Sequence, residues 1–289
     1  MSESVKGRKT SDIHGNKVAR YIITAVLCVF AAAMFLPVYW LILTSITDSK
    51  YAFSLPPDWI PTHLSFDSYV QAFQRIPYAT QILNSVIVTA TVVVAELIVS
   101  SLAAFAFARL RFRGRGVLFV VFLVALMIPG QVTVIPIFIL LRTLGLLDTL
   151  PGVILPNLAA VFVFGTFFLR QHFLSMPDEL EDAARMDGAG HWRTLVSIFI
   201  PLSGPVLAAI SIFAALGTWN DFFWPNLVLT TPERMTIPLG LVYLQAGLAG
   251  APAVVVFAAM ATITVPLLIL FLFAQDSITR GIALAGVSR

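Results

Sequence analysis

The chain has 289 residues, 58% hydrophobic and only 11% charged. Soluble domains carry about 25% charged residues, so the charge is too sparse to wet a globular surface, the apolar content excludes disorder, and a lipid bilayer is the expected solvent. The net charge of +3 comes without a basic stripe interleaved with aromatics, which argues against a nucleic-acid partner and fits loops held on one side of a membrane.

In chain order, a hydrophilic tail (1–20) precedes a charge-free run over 21–43, too extended for a cleaved leader and read as a first span. Cys28 lies in that run and is the single cysteine, so no internal disulfide is possible. Further apolar runs over 82–108, 116–141, 150–169, 195–219 and 252–275 predict five more spans, with Glu96 the one charge inside any of them. A short tail (276–289) follows the 21–275 membrane domain. Pro37, Pro129, Pro136, Pro156, Pro205 and Pro266 fall within spans and are expected to kink them, as suits a bundle with a cavity that opens and closes. The loop over 44–80 carries Pro56, Pro57, Pro61 and the aromatics Tyr51, Phe53, Trp59, Phe66, Tyr69 and Phe73, fit for the membrane interface, and the apolar stretch 232–250 reads as a short interfacial helix. His14, His63, His172 and His191 lack ligand spacing, so no metal is expected.

With the N-terminus inside, fourteen Lys and Arg residues fall on cytoplasmic segments, while the outer loops hold Lys50, Arg75, Arg142 and Arg234. This bias predicts an all-α polytopic membrane protein with six transmembrane helices and both termini cytoplasmic. Arg109, Arg111, Arg113 and Arg115 form a basic turn read as an anchor to anionic headgroups.

The cytoplasmic segment 175–190 is polar and carries helix signals. Ser175 three residues before Asp178 resembles a capping box, Pro177 fits a first turn, and Asp178 and Glu179 favour a helix N-terminus. Glu181 and Arg185 are spaced to pair at i, i+4, and Gly188 with Gly190 supply a stop. A helix over about 177–190 is predicted, with Ala183 and Ala184 as a small-residue notch shaped to lie in another protein's groove.

Asp182-Ala183-Ala184, then Gly188, then Ile198-Phe199-Ile200-Pro201 resembles the signature of binding-protein-dependent ABC importer permeases: Glu-Ala-Ala, three residues, Gly, nine residues, Ile-x-Leu-Pro. The spacing agrees throughout, with Asp182 in place of Glu and Ile200 in place of Leu. The chain also resembles the second permease subunit of maltose-type carbohydrate importers, through Leu36-Pro37-Val38-Tyr39-Trp40 with Thr44-Ser45, Asn84-Ser85, and the run from Thr218 to Pro225. The tail from Thr279 to Arg289 resembles that group only loosely.

The resemblance implies a type I ABC importer permease fold in a prokaryotic inner membrane. It implies half of a sugar pathway, built with a second, different permease, two copies of an ATPase and an extracytoplasmic sugar-binding protein. Asp182, Ala183, Ala184, Arg185, Asp187, Gly188, Ile198 and Pro201 then form the contact with the ATPase. ATP and Mg are expected on that partner and no cofactor on this chain, which has no GxxxxGK[ST] phosphate loop. Glu96, Trp219, Asn220, Asp221 and Phe222 are candidates for the pathway or the substrate, weighed against a buried carboxyl and a helix cap with aromatic anchors. Alternatives are a permease for glycerol phosphate, polyols or amino acids, a secondary transporter, and an intramembrane enzyme; the last two lack the ionisable groups or reactive constellation they need.

Overall fold

Within a bilayer each backbone polar group must find its partner inside its own segment, so long apolar runs become long helices. The computed structural model describes residues 17–246 and 251–286, with side chains from 20 to 269, and the expectations for 1–16, 247–250 and 287–289 lie outside the described residues. Helices α1 (Lys17–Ser45), α3 (Tyr78–Arg109) and α6 (Leu150–Ser175) are each long and apolar enough to cross a membrane.

The third and fifth spans, expected as single stretches, are each broken. Helix α4 (Arg115–Met127) meets α5 (Gly130–Thr143) at 99°. The break falls at Ile128 and Pro129, because a residue before proline is pushed to extended backbone, and Ile128 has ψ 116°. The fifth begins as α8 (His191–Thr194), a π-helical turn (Leu195–Phe199) and α9 (Ile200–Leu202), and that limb meets α10 (Gly204–Trp219) at 80°. Here Ser203 ends the limb by donating from its amide to Phe199 O and Ile200 O, and Pro205 opens α10 where its missing N–H costs nothing. Counting each bent pair as one span gives up to five candidates, with the apolar stretch Ala253–Ile269 a shorter helix. Pro37, Pro136, Pro156 and Pro266 sit inside continuous helices.

Shorter elements complete the chain: α2 (Asp67–Arg75), α7 (Glu179–Met186), α11 (Phe223–Val228), a 3-10 turn (Pro232–Arg234), α12 (Ile237–Gln245) and α13 (Ala253–Gly286). Helix α13 continues past Gln275, where a tail was expected. Among the described residues the only β-pairing is one antiparallel bridge between Thr47 and Leu64, which closes the 44–80 excursion and brings the Tyr51 ring onto His63 at 4.0 Å.

Helices α3 and α6 form the spine and run parallel. Ser100 bonds Phe162 O, and near the helix ends Arg170 bonds Phe107 O. The α4–α5 segment between them therefore travels the opposite way. Helix α10 also opposes α6, since Asp221, just past its end, meets Asn157 in the second turn of α6. The core gathers at three places: Ala72, Tyr78, Trp219 and Val255; Phe105, Phe173 and Phe199; and Val88, Val153 and Val228. Helix α12 falls within the 232–250 stretch where a short interfacial helix was expected, but Ile237, Leu239 and Leu244 are buried in the bundle rather than turned to an interface. A Cβ at Gly240 would stand 1.9 Å from Gln81 Oε1, so a side chain there would displace Gln81 from its bond to Pro232 O. By contrast α1, α4 and α5 expose large apolar side chains such as Phe30, Met34, Met127 and Ile135, surface suited to lipid or a partner helix.

Candidate functional site

Helix α7 is polar, short and built between a proline and a glycine. Pro177 O and Asp178 O accept from the amides of Leu180, Glu181 and Asp182, and three carboxylates lie in its first turn, where the helix dipole favours them. At its other end Gly188 has φ +73°, its amide donates to Arg185 O at 3.0 Å and the Ala189 amide to Ala184 O at 2.9 Å. These two bonds make a Schellman stop. The expected Glu181–Arg185 pair forms at 2.6 Å.

Three details differ from the sequence reading. The helix proper spans Glu179–Met186 rather than 177–190. The Ser175 hydroxyl donates to His172 O in the last turn of α6 and does not cap α7, because α6 runs through Ser175. Gly190 has φ −77°, so the stop belongs to Gly188 alone. The alanine pair is also divided: Ala184 and Glu181 are buried against this chain, while Asp182, Ala183, Arg185, Met186 and Asp187 are exposed, Met186 by 88%. The face available to another protein is thus the acidic and Met186 side rather than a two-alanine notch.

What fixes α7 is the junction beneath it. Arg109, the last residue of α3, is only 5% exposed at its side chain. Its guanidinium donates to Phe173 O at 2.5 Å and Met176 O at 2.6 Å, pairs with Asp178, and lies 5.0 Å from the Phe199 ring centre. Phe105, Phe173 and Phe199 pack edge to face around it, with ring centres 5.2 to 6.4 Å apart. Asp178 is 88% exposed, and an ion pair with so wet a partner contributes about 0–1 kcal/mol. The carbonyl bonds matter more, since stranding a buried polar group costs about 1–3 kcal/mol.

The basic turn is therefore not simply a headgroup anchor. Arg115 donates to Leu110 O at 3.1 Å, while Arg111 and Arg113 are exposed. The Ile198–Pro201 part of the motif lies at the π turn, where the Ile200 amide reaches back five residues to Leu195 O and the Ser203 hydroxyl holds Phe199 O at 2.6 Å. Pi turns cluster at functional sites. Pro201, lacking an N–H, leaves Ser197 O without its ordinary α-helical donor, which favours the shifted register.

The other candidates lie elsewhere. Glu96 is fully buried against α6, and neither carboxyl oxygen has a hydrogen-bond partner among the described residues. Gly165 makes room for it, since a Cβ there would stand 2.7 Å from Glu96 Oε1 and 2.8 Å from Ser100 Oγ. Trp219 is buried beside an apolar cavity of about 400 Å³ between α3, α10 and α13, lined also by Val86, Thr89 and Pro266. Asp221 accepts from Asn157 at 2.8 Å and from the Phe223 amide at 2.9 Å, which makes it a turn former joining α10, α6 and α11. Asn220 is exposed and donates to Leu216 O, and Phe222 is exposed at the same turn. Trp219 thus packs inward while Asn220 and Phe222 face out, so the run does not converge on one pocket.

Sequence reasoning passed over a clasp at this far end. Asp148 accepts from the Thr230 and Thr231 amides at 2.9 and 3.0 Å, from the Thr231 hydroxyl at 2.6 Å and from Arg234 at 3.1 Å. Burial alone would raise its carboxyl, but the Thr231 hydroxyl, the two amides and Arg234 lower it from 3.8 to about 2. In the first turns of α3, Gln81 donates to Pro232 O, Asn84 to Glu233 O and Met235 O, and Ser85 accepts from the Ile237 amide, all at 2.8 to 3.0 Å. Polar residues inside the otherwise apolar start of α3 were the available signal. Among the described residues no three His, Cys, Asp or Glu converge on a metal-sized site.

Comparison with known proteins places this architecture. Residues 96–284, more than half of the chain, match the family described as binding-protein-dependent transport system inner membrane component. The arabinooligosaccharides transport system permease protein AraQ of Halalkalibacterium halodurans is 37% identical over 78% of this chain and 81% of its own length. The diacetylchitobiose uptake system permease protein NgcG of Streptomyces coelicolor is 30% identical over 90% and 86%. A chain of a bacterial ABC transporter involved in the import of the acidic polysaccharide alginate superposes with a TM-score of 0.79 at 25% identity, covering 95% of this chain and all of that one. With the capped α7, the Gly188 stop and the Pro201 limb in the register of the importer signature, the chain belongs to the binding-protein-dependent transport system inner membrane components and has the type I ABC permease fold.

Proposed function

We propose that this permease subunit forms half of the translocation pathway of an ATP-driven carbohydrate importer, paired with a second, different permease, two ATPase subunits and an extracytoplasmic sugar-binding protein. The observation that carries the reading is α7, a capped polar helix with one face sunk into the bundle and the other bare. A soluble ATPase needs such a rigid contact to move spans it does not touch. Asp182, Ala183, Arg185, Met186 and Asp187 form the contact face, Ala184 and Gly188 set the seat of the helix, and Ile198 and Pro201 shape the limb behind it. ATP and Mg are held by the partner.

The chain makes six passes, with both termini on the α7 side and α7 cytoplasmic. The alternating directions of α3, α4–α5, α6 and α8–α10 support this, as do the Lys and Arg bias and the attachment of α13 at its start to the first turn of α3, where Tyr78 donates to Ala259 O. The carbohydrate assignment rests on the sugar transport named for AraQ and NgcG.

The test is reconstitution with the partner permease, ATPase and binding protein in proteoliposomes, and uptake of radiolabelled oligosaccharide. ATP-dependent oligosaccharide uptake is expected. Uptake of glycerol phosphate or a polyol instead would replace the substrate class, and uptake by this chain without an ATPase would sink the importer reading.

A further inference from the structure

We propose that Arg109 is a positioning residue that makes α7 and the end of α3 move as one body, so that force on α7 is delivered to α3. This rests on the importer reading above. Between α6 and α7 the chain is only Met176, Pro177 and Asp178, with Met176 extended at φ −76° and ψ 141°. Such a link can hinge: Leu180 packs against the cluster that holds Phe173 and Met176, but among the described residues no side chain of α6 or α7 is seen to hydrogen-bond across it. Arg109 closes it from outside, because its one guanidinium holds Phe173 O before the hinge, Met176 O within it and Asp178 beyond it. Asp178 O in turn accepts the Glu181 and Asp182 amides, so the grip continues into the first turn of α7.

The same guanidinium lies over Phe199 in the π turn, and Phe199 packs on Phe105 of α3 and Phe173 of α6. Three stretches distant in sequence, the end of α3, the α6–α7 link and the π turn, therefore meet at one buried cation. A planar fork with five donors suits this geometry, and no neutral side chain replaces it. Helix α3 is well placed to carry the motion: at 1.5 Å per residue its 32 residues reach about 48 Å. It runs past Glu96 and the Trp219 cavity to the Asn84 bonds at its other end. Losing the bracket leaves α7 able to bind its partner while seated only by the packing of Leu180, Glu181 and Ala184, and so looser on the hinge.

Two measurements test this. In the reconstituted complex, Arg109→Gln is expected to keep the ATPase bound and hydrolysing while ATP consumed per sugar imported rises about tenfold, within the usual range of coupling between sites. Asp178→Ala, a change at an exposed side chain, should raise the same ratio by a smaller factor. A role in stability alone would lower the amount of complex and leave the ratio at its wild-type value. That outcome overturns the proposal, and if Arg109→Gln fails to assemble, an unchanged ratio in Asp178→Ala overturns it equally. The second measurement uses the chain without transport. Spin labels at Leu102→Cys on α3 and Met186→Cys on α7, with Cys28→Ser, should give one narrow distance that broadens with Arg109→Gln, or with Asp178→Ala where the glutamine variant does not fold. An unchanged width overturns the bracket whatever the complex transports. A wild-type complex without ATP-dependent uptake, in contrast, defeats only the functional reading.

Discussion

At its first turns α3 gives Gln81, Asn84 and Ser85 to the backbone of 232–237, and at its last turn it gives Arg109 to the backbone of α6 and to Asp178. Both ends hold remote main chain through α3 side chains, but with different chemistry. At the far end the α3 groups are neutral and buried, and α11, the 3-10 turn and α12 cover them, with the charged Asp148–Arg234 pair at the rim. The α7 end uses one buried cation whose ionic partner is wet, and it leaves a helix face bare. Neutral buried bonds are indifferent to salt and fix one geometry, whereas a cation at a hinge beside an exposed helix suits an end that must move as a unit and be gripped from outside.

The sharpest break of this contrast is made at the far end. A Cβ at Gly152 would stand 2.2 Å from Leu146 O, a backbone atom, and 2.9 Å from Val228 Cγ1. Gly152→Val is expected to cost about 3 kcal/mol or more, because neither neighbour is a flexible tip that can swing away. The variant should fail to accumulate in membranes at wild-type level; normal expression and melting would show that the far end is softer than its contacts imply. Next in size is Asn84→Leu. It strands Glu233 O and Met235 O and should lower stability by about 1–3 kcal/mol, equally at low and high salt. A loss that shrinks with salt would mean that charge, not amide bonding, holds this end.

How far the sequence carries differs between the two ends for a physical reason. A helix in this segment, the Glu181–Arg185 pair and the left-handed Gly188 were legible, because i, i+4 spacing and turn glycines act within a few residues, while its bounds and the Ser175 cap were not. The family resemblance, written in the same short window, was legible too. The role of Arg109 and the Asp148 clasp were not, since each depends on a partner 64 to 86 positions away, and neither was the burial of Ala184, which tertiary packing decides. Pro129 and Pro205 were noted as kinks, but the size of a bend is set by what packs on either side. Glu96 is legible as the one charge inside a span, but its burial against α6, in space that Gly165 leaves, depends on packing that no local pattern encodes.

Helix α7 gives the next prediction, a set whose members separate seat from contact. Ala184→Trp overfills a buried site of this chain and should cost about 1–3 kcal/mol of stability. Gly188→Val strains a left-handed residue by about 1–2 kcal/mol. Asp182→Lys, fully on the exposed face, should cost no more than about 1 kcal/mol, through the helix dipole, and weaken ATPase binding. Equal membrane levels with wild-type ATPase binding in Asp182→Lys would move the contact face elsewhere. A loss well beyond about 1 kcal/mol in Asp182→Lys would show that this face is not free.

The smallest effect is expected at Asp148, and its direction follows from linkage. The folded carboxyl titrates at about 2, below its ordinary 3.8, held there by the Thr231 hydroxyl, two amides and Arg234. A group whose folded value is depressed binds protons more readily when unfolded. Its contribution is therefore fully present above about pH 4 and is lost as pH falls through about 2. Over pH 5 to 8 the clasp is ionised in both states and confers no pH dependence. Arg234 is 55% exposed and Asp148 24%, so screening keeps their pair weak, and the hydroxyl and amide bonds provide most of the hold. The measurement is the difference in melting midpoint between wild type and Asp148→Asn, which cancels the titration of every other carboxylate. That difference should stay flat from pH 8 to 5, be nearly unmoved by salt, and shrink below pH 4. A difference that varies between pH 5 and 8 would place the titrating group elsewhere, and one that collapses in salt would make Arg234 the principal partner and the far end as electrostatic as the α7 end.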